Sequence, residues 1–412
     1  MSGDDGGSGK RTTIPPRPSR APTATTPPRS MRPPTARPSA DDHGRPPASR
    51  PPSNFPPISS RPPSAVSVPP PRRFSGMRLG TIDFELVNAA RRIFEGALGL
   101  VPGEKVVVVL DTARKEMSAA MAEVVHNIGA TIRILELEDY GPRPARRVPD
   151  EVEAAMHDAQ ASVLMVSLED GEFSMRYDLV TLANQLNLRH VHMAGISRRS
   201  MLAGFTVDPA RILDATRAVR TRLRPDSRLY LHTAAGSELH VLLSPSHRWI
   251  EQVGVVRPGR WENLPSGGLC TAPGDVEGIF VADASVGQGF GMAAGLLEKN
   301  PVRLEIEGGI CKSVRCSDLA LQRTIEDFMR RDRHMDRVGI VILGTNVGIL
   351  APIGEALCDQ NLPGLHIAFG TTFPDQTGAV WTARSQLTFT CANADVDLDG
   401  TSLLRSGRYM VG

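Results

Sequence analysis

Apolar residues recur at three- and four-residue steps from Thr81 onward (Phe84, Val87, Ala90, Ile93, Ala97). This spacing predicts an amphipathic helix, which Gly99 and Pro102 end. The next run, 105–110 (KVVVVL), is unbroken and β-branched, as in a strand covered on both faces. The pattern then alternates. Helical spacing over 112–127 closes at Gly129, and a strand follows at 131–135. A helix near 149–158 precedes a strand at 162–167, and a helix near 177–186 precedes a strand at 190–193. Asp208-Pro209 opens a further helix, the aspartate as cap and the proline in the first turn. Strands alternating with helices predict a doubly wound parallel sheet in an N-terminal α/β domain, 76–224.

Beyond Pro225 the period shortens. Runs at 228–232, 238–242, 279–284 and 302–307 are strand-like and separated by Gly, Pro and Ser. One helix, read as capped by Ser317, carries Leu321, Ile325, Phe328 and Met329 on a single face. The stretch from Val338 then reads VGIVILGTNVGI, a short helix-like segment, GLHIAFG and, after a tight polar loop, GAVWTA, and 394–409 reads as terminal strands turning at Asp399-Gly400. A C-terminal mixed α/β domain, 225–412, is expected.

Composition changes the picture at the N-terminus. Residues 1–75 hold 20 of the 34 prolines and 12 Lys+Arg against 4 Asp+Glu, which leaves 35 basic and 41 acidic side chains for the remainder. With two phenylalanines and no leucine, this stretch cannot bury enough apolar area to offset the entropy of ordering. It is expected to be a disordered, polyproline-like tail, and its PPRPSR segment is a candidate contact for other proteins. Deleting 1–75 should therefore leave the unfolding midpoint nearly unchanged; a fall of several degrees in a thermal melt would show that the tail packs on the body. Aromatics at 5% and a mildly acidic body argue against nucleic acid as a partner. The N-terminus lacks the apolar core of a signal peptide, and no stretch approaches a membrane span. Five cysteines without a CxxC suit reduced thiols, so a cytoplasmic protein with no membrane partner is expected.

Known catalytic motifs are few. The glycine run from Gly287 to Gly295 follows a strand, but Pro301 and a new strand arrive before a helix can close a dinucleotide-binding unit. It reads as a turn-rich connection in which Phe290 and Met292 are candidate cavity residues. A Walker loop, a GxSxG elbow and an HExxH helix are absent. His190-Val-His192 would place both rings on one strand face, but no third ligand lies nearby in sequence, so structural or solvent-facing histidines are the simpler reading.

Segments AAGSELHVLL, RWENLPSGGLCTAPGDVEG, PVRLEIEGG, VILGTNVGI, HIAFG, VWT and DVDLDG, in that order, resemble the C-terminal half of the thermophilic aminopeptidase family, to which aminopeptidase T belongs, and of the related dihydroxypyridine dioxygenase. The resemblance implies a two-domain aminopeptidase-like fold, a homodimer and a peptide cleft beside two metal ions. It also implies which positions would serve that centre. A metal-binding glutamate falls on Gly268, and a bridging glutamate on Ile340, with Asn346 in the same motif. The histidine of HIA-x-G is kept as His366, a catalytic tyrosine position holds Phe373, and the final His-Trp-Asp reads Val380-Trp381-Thr382.

A two-metal hydrolytic centre needs several carboxylates and imidazoles, one of them bridging, and one histidine among small and apolar residues does not supply them. The expectation is a protein without metal or other cofactor and without catalytic residues. Its cleft of Gly268, Ile340, Asn346, His366, Phe373, Val380, Trp381 and Thr382 would bind a peptide, such as the precursor of a peptide natural product. The opposing expectation is a metal-dependent aminopeptidase or dioxygenase-like enzyme with a relocated single metal, for which Asp375, His366, Cys270, Asp275 and Glu277 are the nearest ligands by sequence. A scaffold acting mainly through its tail is a third possibility.

Overall fold

The structure, a computed structural model, describes residues 83–169, 171–287 and 294–410. The expected tail, 1–75, and Phe290 and Met292 of the glycine run lie outside them.

Asp83 caps the first helix, Phe84–Arg91, by accepting from the backbone N–H groups of Glu85 and Leu86. Val87, Ala90, Ile93 and Ala97 are buried as their spacing predicts, but Phe84 is 73% exposed. It stands at the first helical position, pointing away from the packed face. Five strands form a wholly parallel sheet in the order Thr131–Glu136, Lys105–Leu110, Ala161–Met165, Arg189–His192, Arg260–Asn263. The chain turns in opposite directions from the Lys105–Leu110 strand, the doubly wound arrangement expected. Its fifth strand comes from beyond residue 224, and the described residues form one compact unit.

Two antiparallel sheets make up the rest. The eight-stranded one runs Ile310–Arg315, Val302–Glu307, Pro273–Ala282, Glu238–Leu243, Arg228–His232, Asp395–Leu398, Thr401–Arg405, Arg408–Tyr409. The six-stranded one runs Ser285–Gly287, Gln386–Thr390, Gly364–Gly370, Val338–Gly344, Gly268–Thr271, Ile250–Gln252. Alternate residues of both sheets, among them Phe280, Leu343, Phe369 and Phe389, meet in one core closed by Ile325 and Phe328 of the Leu319–Arg330 helix. That helix is capped by Asp318, not Ser317: the carboxylate accepts from Ala320 and Leu321, while the Ser317 hydroxyl bonds Asn300. Asp399 and Gly400 both take the left-handed conformation, as the turn between the last long strands requires. Among the described residues, no helix is long and apolar enough to cross a membrane.

Candidate functional site

One face of the six-stranded sheet is spent on the core just described. The other carries the positions singled out by sequence, because residues two apart on a strand share a face. On the Val338–Gly344 strand these are Ile340, Ile342 and Gly344, on Gly268–Thr271 they are Gly268 and Cys270, and on Gly364–Gly370 they are His366 and Ala368. Register then decides which of them meet. Ile342 lies opposite both Cys270 and His366, Ile340 opposite Ala368, and Gly344 opposite Gly268. Gly268 and Ile340 thus stand four residue steps apart, roughly 13 Å along the strands.

This face is filled. Cys270, Ile340, Ile342 and Ala368 are at most 5% exposed and pack as one apolar cluster with Ile250 and Phe373. Sequence reasoning missed the centre of that cluster, Ile342; strict alternation from Ile340 would have found it. Burial also pushes the Cys270 thiol up to about 12, so it stays neutral. A β-carbon added at Gly268 would meet Asn361 Oδ1 and Ile342 Cγ2 at 3.6 Å, which is ordinary contact. There is room for alanine there and none for a large ring.

His366 is fully buried, and both ring nitrogens are engaged. Nε2–H donates to Leu362 O at 2.8 Å, and Nδ1 accepts from Cys391 N–H at 3.3 Å. Burial lowers its pKa to about 4, so the ring is neutral. Its partners both lie within the C-terminal part of the chain. Asn346 is engaged just as fully: Nδ2 donates to Gly204 O at 3.1 Å and Ser266 O at 2.8 Å, while Oδ1 accepts from Gly348 N. It is a buried joint rather than a group that faces a ligand.

The remaining four positions belong to the loop 371–382, which threonines stitch together. Thr377 Oγ1 donates to Thr372 O at 2.7 Å, Thr372 Oγ1 donates to Trp381 O, and Thr382 Oγ1 accepts from Thr372 N at 3.2 Å. Phe373 takes the left-handed conformation at φ 49°, a strained choice for a bulky residue, and so turns its ring onto the Ile340 cluster. Trp381 lies beneath the Arg337 guanidinium at 4.6 Å and beside the His334 ring at 5.2 Å. Val380 is 98% exposed. The eight candidates therefore divide into a buried set (Gly268, Ile340, Asn346, His366) and a reachable loop set (Phe373, Val380, Trp381, Thr382).

The alternative ligands do not assemble. Asp375 is exposed on the loop, and Asp275 and Glu277 lie on a strand of the eight-stranded sheet. His190 and His192 lie on one buried strand face with ring centroids 6.0 Å apart; Ser162 Oγ is 2.9 Å from His190 Nδ1. Among the described residues, no three His, Cys, Asp or Glu side chains converge on a point that could hold a metal ion. The residues on the buried face therefore do not fit the metal centre implied by the resemblance.

The three sheets together define an aminopeptidase-like α/β fold. Solved structures share it. 2,5-Dihydroxypyridine dioxygenase from Pseudomonas putida superposes with a TM-score of 0.54 at 15% identity, over 80% of this chain and 96% of that one. AmpT from Thermus thermophilus superposes at 0.53 and 18% identity, over 79% and 99%. At these identities the likeness is one of fold. No family model and no curated protein matches the sequence.

Proposed function

We propose that this chain is a catalytically inactive member of the aminopeptidase-like fold that binds a peptide without cleaving it, and that the 371–382 loop is the receiving surface. The observation that carries this reading is His366, whose two ring nitrogens are both spent on the chain itself. Support comes from the apolar filling around Ile340 and Ile342, where a carboxylate without a metal would be costly to bury. The reachable groups suit an apolar or aromatic-ended peptide: an exposed Val380, the Trp381 ring and the exposed Thr382 beside it. A cytoplasmic homodimer presenting a precursor peptide to modifying enzymes belongs to the same proposal. The second reading, a metal-dependent enzyme, is favoured by the fold shared with the dioxygenase and AmpT.

Two measurements separate these readings. Protein purified without a histidine tag should contain no stoichiometric transition metal by elemental analysis; one or two zinc, iron or manganese ions per chain would sink the inactive reading. Calorimetry with an aromatic-ended peptide should give binding in the micromolar range, lost in Val380→Glu, and mass spectrometry should recover the peptide intact. Substitution at Val380 disturbs no packing, whereas bulk at enclosed Gly268 tests folding instead. Undiminished affinity in Val380→Glu would place the surface elsewhere.

A further inference from the structure

Among the described residues nothing covers the outward face of the eight-stranded sheet, which is hollowed into a depression of about 460 Å³. Its strands alternate: Leu229, Leu231, Leu239, Val241, Val276 and Val396 enter the core, and the residues between them face out. Register arranges those outward residues into cross-strand rows. In one row Asp397 lies opposite Tyr230, Tyr230 opposite His240, and His240 opposite Glu277. The two rings meet at 4.7 Å with a 34° tilt, so a carboxylate stands at each end of an aromatic pair. The adjoining rows add Asp275 and Arg228 on one side, and Asp395, His232 and Glu238 on the other. Arg405 takes one oxygen of Asp397 at 2.5 Å and leaves the other.

We propose that this face docks an arginine-bearing, extended segment of a partner protein. A guanidinium is planar and weakly hydrated, so it stacks on an aromatic face and pairs with a carboxylate at once, which a lysine ammonium does less well. The row spans three strand spacings, roughly 14 Å between the Asp397 and Glu277 positions. An extended polyproline-type chain advances about 3.1 Å per residue, so arginines four residues apart reach both ends. Charge decides among occupants. Around the depression Asp275, Glu277, Asp395, Asp397 and Glu238 outnumber Arg228 and Arg405, so a second copy set face to face about a two-fold axis would meet mostly like charge. Nucleic acid and anionic lipid are repelled by the same groups. This surface lies on a different sheet from the 371–382 loop and is independent of what that loop binds.

The test is fluorescence anisotropy of a labelled, end-blocked Arg-Pro-Pro-Pro-Arg peptide titrated with the full chain. Saturable binding that weakens as salt rises is expected, with no binding of Glu-Pro-Pro-Pro-Glu. Tyr230→Ala and Glu277→Gln, both on the outer face, should each weaken it about tenfold, while circular dichroism stays unchanged. The lysine analogue should bind more weakly than the arginine peptide. Absent or salt-insensitive binding, undiminished affinity in both variants, or equal binding of the acidic peptide would overturn the proposal. So would sedimentation showing self-association that Tyr230→Ala abolishes, since that assigns the face to a second copy.

Discussion

Arg143→Ala is expected to lower the unfolding midpoint by about 10 °C, the consequence of leaving two buried carboxylates without their cation. The Arg143 fork donates to both oxygens of Glu172 at 2.8 and 2.5 Å, to Asp111 Oδ2 at 2.5 Å and to Ser167 O at 2.9 Å. Asp111 and Glu172 side chains are 1% and 0% exposed, and Arg143 is 11% exposed. The group sits where the strands Lys105–Leu110 and Ala161–Met165 end, at the point where the doubly wound sheet changes direction. There it ties the 141–149 loop to both strands. Removing one partner of such a network costs about 3–5 kcal/mol, far more than an exposed pair.

The sign of the pH response identifies the cause. Burial pushes the Asp111 carboxyl up, but hydrogen bonds from Ser167, the charge of Arg114 and the hydrogen bond from Arg143 hold it below the ordinary value. In the native protein this group contributes stability above its unfolded pKa, lost as pH falls through the lower folded one. In Arg143→Ala burial is less opposed, so Asp111 contributes less, and the gap between native and variant should narrow as pH falls below the ordinary carboxylate value of 3.8. Thermal melts on both sides of that value check this. Arg143→Lys should recover only part of the loss, because an ammonium cannot bridge three acceptors in a plane. A loss below about 1 kcal/mol for Arg143→Ala would mean that the network is no stronger than a surface pair.

Much of the fold was legible because burial on both faces leaves a period that sequence records. The strand Lys105–Leu110 falls on the residues predicted. By contrast, Arg260–Asn263 reads RWEN, short, polar and at the edge of its sheet, and nothing local marks it as parallel to Arg189–His192. The cap at Asp318 was misplaced by one residue because Ser317 and Asp318 are equally good caps, and tertiary contact with Asn300 draws the serine away. At the candidate site, the motifs marked stretches that the structure places in the six-stranded sheet, but exposure was hidden. His366 is satisfied by Leu362 and Cys391, the second of which no local pattern links to it. The division into buried floor and reachable loop depends on how loop 371–382 folds over the sheet, and Phe373 achieves this through a conformation that its residue type disfavours.

Glu262→Gln is expected to stabilise the protein at pH 8 and leave it little changed at pH 5. Glu262 lies on the Arg260–Asn263 strand, largely out of water, and accepts the Gly254 N–H at 2.8 Å. Burial raises its pKa from 4.5 to about 7, against the pull of backbone N–H groups from Gly254 and Val253. A carboxyl whose folded pKa is raised contributes stability below its unfolded pKa, and that stability is lost as pH climbs toward the folded value. The window here runs from about 4.5 to about 7, and the loss at its upper end reaches about 3 kcal/mol at most. Glutamine keeps the amide-accepting oxygen and cannot ionise, so the variant escapes the loss. His190 and His366, whose pKa values burial lowers to about 3 and about 4, act with the opposite sign, since the unfolded chain takes up their protons as pH falls below 6.5. The native profile therefore mixes both effects, and the difference between native and variant isolates Glu262. Denaturant unfolding at intervals from pH 5 to pH 8 should show that difference growing through the window and flattening above about 7. A difference that stayed constant with pH would show that Glu262 is ionised throughout and reached by water.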